Sequence, residues 1–171
     1  MPGLFEQRLA EGVEGEHRIA RKLLDIGVAV APLYQFENQG TAPHMLGKLG
    51  CDQIKRVLPD LTCWGETAFF AEVKRKQRWV TYSGFLETGL NARLFREYCD
   101  VQALTGCPVF LFFLHESQLP TGVWIGRIDR LRARCREWAG SRPDGSVVSK
   151  PLTLFPASTL TKIWELAEVP S

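Results

Sequence analysis

Apolar and polar positions along this chain change period several times, and each change marks a predicted element. From Phe5 to Leu24 the apolar residues Phe5, Leu9, Val13, Ala20, Leu23 and Leu24 recur on one stripe at helical spacing. That spacing predicts an amphipathic helix ending at Gly27, since glycine favours the position just past a helix. Val28 to Tyr34 is β-branched and apolar and predicts a strand. Glu37 to Lys48 holds Gly, Asn, Pro and Thr and reads as a loop, and Gly50 to Val57 follows neither period.

A hairpin comes next: Asp60 to Trp64, a turn at Gly65-Glu66, then Thr67 to Lys74. Pro59 suits a strand start, where its missing N–H is tolerated. Gln77 to Gly89 is irregular. A second helix is expected from Asn91 to Leu104, closed by Gly106 and Pro108, and Val109 to Leu114 reads as a buried strand. A further strand, Val123 to Ile128, leads into an expected third helix from Asp129 to Ala139, with Asp129 as N-cap and Leu131, Cys135 and Trp138 as its apolar face. After a polar loop, Leu152 to Phe155 reads as a short strand and Ala157 to Ala167 as a last helix. The strand–helix–strand step implies a crossover, hence an α/β fold with a mixed sheet flanked by helices. The expected core is αβββαβ over about residues 12–114, with additions over about 123–168, all in one domain of 171 residues.

Composition narrows the class only a little. Charged residues are 23%, hydrophobic residues 45% and the net charge is +2, so partners must be read from local clusters. The five cysteines are scattered with no CxxC pair, and the three histidines lack metal-motif spacing, which speaks against a zinc or redox motif. Reduced thiols, the polar N-terminus and the short longest apolar run (Val109 to Leu114) fit a cytoplasmic protein without a signal peptide or membrane span.

The hairpin carries the chemistry. Side chains alternate along a strand, so Glu72 and Lys74 share a face while Val73 points away. A tight hairpin brings Asp60 beside Glu72. The preceding residues Ala68 to Ala71 are apolar or small, and charges among such neighbours are costly unless paired or bound to an ion. Carboxylates can hold Mg²⁺, which lowers the pKa of a bound water and clamps a phosphate, and a nearby lysine can offset developing charge. A plainer reading makes Asp60 a turn residue and Glu72–Lys74 a surface charge pair, and Asp52 is a rival to Asp60 if the register shifts.

Pro59-Asp60 followed by Glu72-Val73-Lys74 resembles the signature of the PD-(D/E)xK nuclease superfamily, which includes restriction endonucleases, Holliday-junction resolvases and small phage nucleases. The resemblance spans about residues 12 to 114 and implies a restriction-endonuclease-like core with a four-stranded sheet. It implies Asp60, Glu72 and the Val73 backbone carbonyl as ligands of Mg²⁺ or Mn²⁺, with Lys74 orienting the attacking water. The family often adds a glutamate from the first helix, and Glu16 is the candidate, lying between Val13 and Ala20 on the stripe; pairing with an arginine is its alternative. Asn91, Tyr98 and Gln102 follow one flank of the second helix, where the resemblance implies side chains that face the active site or contact the nucleic-acid backbone.

Arg75, Lys76 and Arg78 continue the basic run from Lys74, with Trp79 and Tyr82 beside them. Positive charge there can hold phosphates and aromatic rings can stack on unpaired bases. Arg93 and Arg96, and Arg130, Arg132, Arg134 and Arg136, are weaker candidates for the same work. The expected activity is therefore metal-dependent hydrolysis of DNA, directed by structure more than by sequence, with a homodimer as a natural way to cut two strands. A nuclease subunit of a larger repair or replication complex and a non-catalytic nucleic-acid-binding module are the alternatives.

Overall fold

The computed structural model describes residues 4–33, 57–140 and 150–166, with side chains of the first helix described from Gly12 onward. Asp52, Cys51 and the predicted loop from Glu37 to Lys48 lie outside the described residues.

The first helix, α1 (Leu4–Asp25), ends where Gly27 takes a positive φ of 83°. Its buried line is Gly15, Ile19 and Leu23, whereas Leu24 is 56% exposed, so the core stripe is rotated from the expected one. A Cβ at Gly15 would make ordinary contact with Val73, Arg75 and Leu114, so this side of α1 faces the sheet.

That sheet has six strands in the order β1 (Ala29–Pro32), β2 (Leu61–Trp64), β3 (Ala68–Lys76), β6 (Val109–His115), β7 (Gly122–Arg127) and β10 (Thr161–Trp164). β2 and β3 form the predicted hairpin, in the register Leu61↔Ala71 to Trp64↔Ala68. β3 and β6 are the parallel pair, from Phe70↔Val109 to Lys76↔His115, joined by a crossover through α2 (Ala92–Thr105). The mixed sheet with one helix on each face is the expected αβββαβ core, extended from four strands to six by β7 and β10. On the α1 side Ala71, Val73, Phe112 and Leu114 pack with Ile19 and Leu23. On the α2 side Val109, Leu111 and Phe113 pack with Phe95, Tyr98 and Val101.

Three expectations are corrected. The stretch from Gln77 to Gly89 is not irregular. It holds β4 (Val80–Tyr82) and the start of β5 (Phe85–Asn91), the first members of a second sheet ordered β4-β5-β9-β8. The third helix, α3, is only Ile128–Arg132; Arg136–Trp138 is strand β8, because β9 (Leu152–Pro156) offers it a ladder from Arg136↔Leu154 to Trp138↔Leu152. The expected last helix is instead a 3₁₀ turn, Ala157–Thr159, then β10, which takes the free edge of β7. Leu90 and Phe155 join the second sheet to the core that α2 covers. Gly89 permits the close pairing of β5 with β9, since a Cβ there would lie 2.0 Å from the Thr153 carbonyl oxygen.

Candidate active site

The hairpin ladder closes at Leu61↔Ala71, and the next residue outward on β2 is Asp60. Among the described residues no partner strand continues beyond that point, and the Val73 backbone N–H donates to Asp60 Oδ2 over 2.8 Å. Asp60 is thereby held against β3 at the level of Glu72. Val73 points into the α1-side core, so Glu72 and Lys74 project together on the opposite face.

Glu72 is fully buried, with Leu111 beside it on β6. Its carboxylate forms an ion pair with the Lys74 ammonium, and the Tyr98 hydroxyl of α2 lies beside it. Apart from that ion pair, neither of its oxygens has a hydrogen-bond partner among the described residues. Glu16 arrives from α1 with its Oε2 buried and without a hydrogen-bond partner.

Among the described residues, charge in this cluster does not balance: three carboxylates, Glu16, Asp60 and Glu72, surround the Lys74 ammonium. Burial raises the proton affinity of Asp60 well above the usual carboxylate range and Glu72 adds to it; Lys74 and the Val73 N–H compensate only in part. Glu16 is raised too, by burial, against the pull of Lys74 and with repulsion from Glu72. Burial alone pushes the Lys74 ammonium down, yet Glu72, Asp60 and Glu16 together hold it above the ordinary lysine value. The Tyr98 phenol is driven far up, by burial and then by Glu72 and Asp60, and remains a hydrogen-bond donor.

Next to this cluster opens a pocket of about 540 Å³, walled by Gly12 and Glu16 on α1, by β3 from Val73 to Lys76, and by Gln77, Arg78, Glu116 and Ser117. It lies at the carboxyl ends of the parallel strands β3 and β6, the usual place for ligands in open α/β sheets. Among the described residues no three acidic, histidine or cysteine side chains form a group that could hold a metal ion by themselves. The donors that are present, carboxylate oxygens with raised proton affinity and unpartnered buried atoms, fit a hard divalent cation that keeps waters in its shell.

The chain matches no protein-family model and no curated protein. Among solved structures it superposes on the Holliday junction resolvase Hjc of the archaeal hyperthermophile Archaeoglobus fulgidus with a TM-score of 0.46, at 14% identity over 83% of this chain and 86% of that one. A nuclease from a fusselovirus gives a TM-score of 0.46 at 11% identity, over 95% and 89% of the two chains.

Asp60, Glu72, Lys74 and Glu16 are thus brought together, and Lys76 and Arg78 line the pocket beside them. Lys76 is partly buried, which lowers its pKa to about 8 with help from the like charge of Lys74. Arg75 points to the α1 side, where it pairs with Glu116 and, at 3.2 Å, with Glu14. The expected surface role of the second-helix flank is not what the side chains do here. Tyr98 is 2% exposed and serves Glu72 from within the core, because α2 packs directly on the Glu72 face of the sheet. The Asn91 side chain caps α2, accepting from the Arg93 N–H at 2.9 Å. Gln102 accepts from the Val109 N–H at 2.9 Å, at the start of β6 and so at the end of the strand away from Lys74. Trp79 is buried and stacked on His115, with ring centroids 3.7 Å apart.

Glu116 was not singled out from the sequence. It binds Arg18 of α1 and Arg75 of β3 together, and so fixes the helix that carries Glu16 to the strand that carries Lys74. The one signal for it in the sequence is its position just past the end of a buried parallel strand.

Proposed function

We propose that this chain is a divalent-metal-dependent nuclease that hydrolyses phosphodiester bonds in DNA by PD-(D/E)xK chemistry. The reading rests on one observation above the others: among the described residues, the three carboxylates Glu16, Asp60 and Glu72 gather around Lys74, beside a pocket lined by further basic residues.

Each residue then has a role. Asp60, Glu72 and Glu16 would hold Mg²⁺ or Mn²⁺, with the Val73 carbonyl as a further oxygen donor. The bound ion would supply an acidified water and neutralise phosphate charge. Lys74, kept protonated by its acidic neighbours, donates to the attacking water or to the phosphoryl oxygens. Tyr98 holds Glu72 in one orientation from the core side. Lys76 and Arg78 bind the substrate backbone at the pocket wall, where a contact to phosphate carries no sequence information. Recognition is accordingly by backbone and shape, and a homodimer would place two such sites on two strands.

The test is cleavage of labelled single-stranded, duplex, flap and four-way-junction DNA in Mg²⁺, Mn²⁺ or EDTA, with Glu72→Gln alongside. Metal-dependent cleavage by the wild type that the variant loses is the expected result. Tight binding of DNA with no cleavage of any substrate would replace this reading by a binding module.

A further inference from the structure

The β4–β5 hairpin exposes two aromatic rings that the core does not use. Tyr82 and Phe85 are a directly paired cross-strand couple on either side of the turn Ser83-Gly84. Paired residues project on the same face with Cβ atoms roughly 5 Å apart. Both turn residues have positive φ, 48° and 79°, the backbone that a tight two-residue hairpin requires. Tyr82 is 55% and Phe85 70% exposed.

The Tyr82 ring is also held in place. The Arg136 guanidinium lies over it at 3.9 Å, and that guanidinium is itself fixed by the buried Glu87 carboxylate through contacts of 3.0 and 3.1 Å. A cross-strand aromatic pair would stabilise the hairpin by itself, but hairpin stability does not need a buried glutamate anchoring an arginine behind an exposed ring. The hairpin leaves the pocket wall directly, through Gln77, Arg78 and Trp79. Basic groups tracking a backbone beside open aromatic faces are the combination that binds single-stranded nucleic acid.

We propose that Tyr82 and Phe85, with Arg136 behind Tyr82, form a stacking platform for an unpaired nucleobase on the hairpin that follows the pocket wall. Bases inside a continuous duplex already stack on each other and offer no free face. The platform therefore selects DNA with a gap, a flap, a junction or a single-stranded segment. This rests on the nuclease reading and narrows its substrate class.

The experiment measures binding of fluorescent oligonucleotides in Ca²⁺: single-stranded, gapped and continuous duplex DNA. Cleavage of the same DNAs is followed separately in Mg²⁺. Tyr82→Ala and Phe85→Ala should each weaken binding to the gapped and single-stranded DNAs by about tenfold, with affinity for continuous duplex unchanged. Tyr82→Trp should keep wild-type affinity. In the wild-type protein, 5-iodouracil at the unpaired position should cross-link to the peptide that holds Tyr82 and Phe85, a readout independent of any variant's folding. Equal losses on all three DNAs, no loss on any, or a cross-link confined to other peptides would overturn the platform. Cleavage by the wild type with these negative results would leave the nuclease reading standing. The expected binding pattern without any cleavage would uphold the platform and sink the nuclease. No binding of any DNA would overturn both.

Discussion

Asp60 accepts the Val73 backbone N–H over 2.8 Å, so the carboxylate that starts the hairpin also ends it. This gives Asp60 two separable properties: an acceptor that the strand needs, and a charge that the fold tolerates poorly. Asp60→Asn keeps the acceptor and removes the charge, and it should raise the melting temperature of the metal-free protein. Asp60→Ala leaves the Val73 N–H unpaired and should lower stability by about 1–3 kcal/mol. Both should lose the upward shift in melting temperature that Mn²⁺ gives the wild type. Thermal denaturation with and without Mn²⁺ checks all three statements, and a Mn²⁺ shift retained by Asp60→Asn would remove Asp60 from the metal site.

Among the described residues, Lys74 is the cation that Glu16, Asp60 and Glu72 share, and its partner Glu72 is fully buried. Lys74→Met strands that charge and should destabilise by about 2–4 kcal/mol, less than a fully buried pair because Lys74 itself is partly exposed. Adding Glu72→Gln should restore most of the loss. Urea unfolding of the four proteins in the cycle measures the coupling. Additive losses would mean that the pair is a surface interaction of little weight.

Tyr98→Phe removes one buried hydroxyl from beside the Glu72 carboxylate. It should cost about 0.5–1.5 kcal/mol and reduce cleavage without changing affinity for DNA, because the residue offers no surface to a ligand. A selective fall in DNA affinity would return Tyr98 to a contact role.

His115 makes the protein sensitive to acid. It is 1% exposed, stacked on Trp79, with Nε2 at 3.1 Å from Thr88 Oγ1, and burial, then Lys76, lowers its pKa from 6.5 to about 4. The folded protein thus takes up the proton later than the unfolded chain does. Stability from this group is complete above pH 6.5 and falls as the pH drops towards 4, by about 3 kcal/mol in all. Asp60 and Glu16, raised in the folded state, act with the opposite sign and gain stability as they protonate. The loss should therefore be steepest in an Asp60→Asn, Glu16→Gln background and absent when His115→Gln is added. Denaturant midpoints between pH 4 and 7.5 decide it; an unchanged slope in the His115 variant would assign the acid sensitivity elsewhere.

Much of the site was legible in the sequence because its causes are local. Period-two alternation alone puts Glu72 and Lys74 on one face and Val73 on the other, and a short turn alone returns Asp60 to Glu72. Helix α2 was legible for the same reason, with a capping Asn91 before it and Gly106 in the left-handed conformation after it. The two strands β8 and β10, beyond α3, were not legible. Arg136 to Trp138 and Thr161 to Trp164 have compositions that suit either a helix or a strand, and an open sheet edge, at β9 for one and β7 for the other, selects the strand.

Side-chain duty also depended on packing. Asn91, Tyr98 and Gln102 share a helix flank in sequence, but α2 lies directly on the sheet, so a cap, a core hydroxyl and a strand-end acceptor result. By itself the sequence determined which residues could carry the chemistry, since strand and turn periodicities act within a few positions. Only the tertiary structure decided how strongly they act on each other: burial of Glu72 against the sheet and the arrival of Glu16 from α1 gather three carboxylates around Lys74 among the described residues.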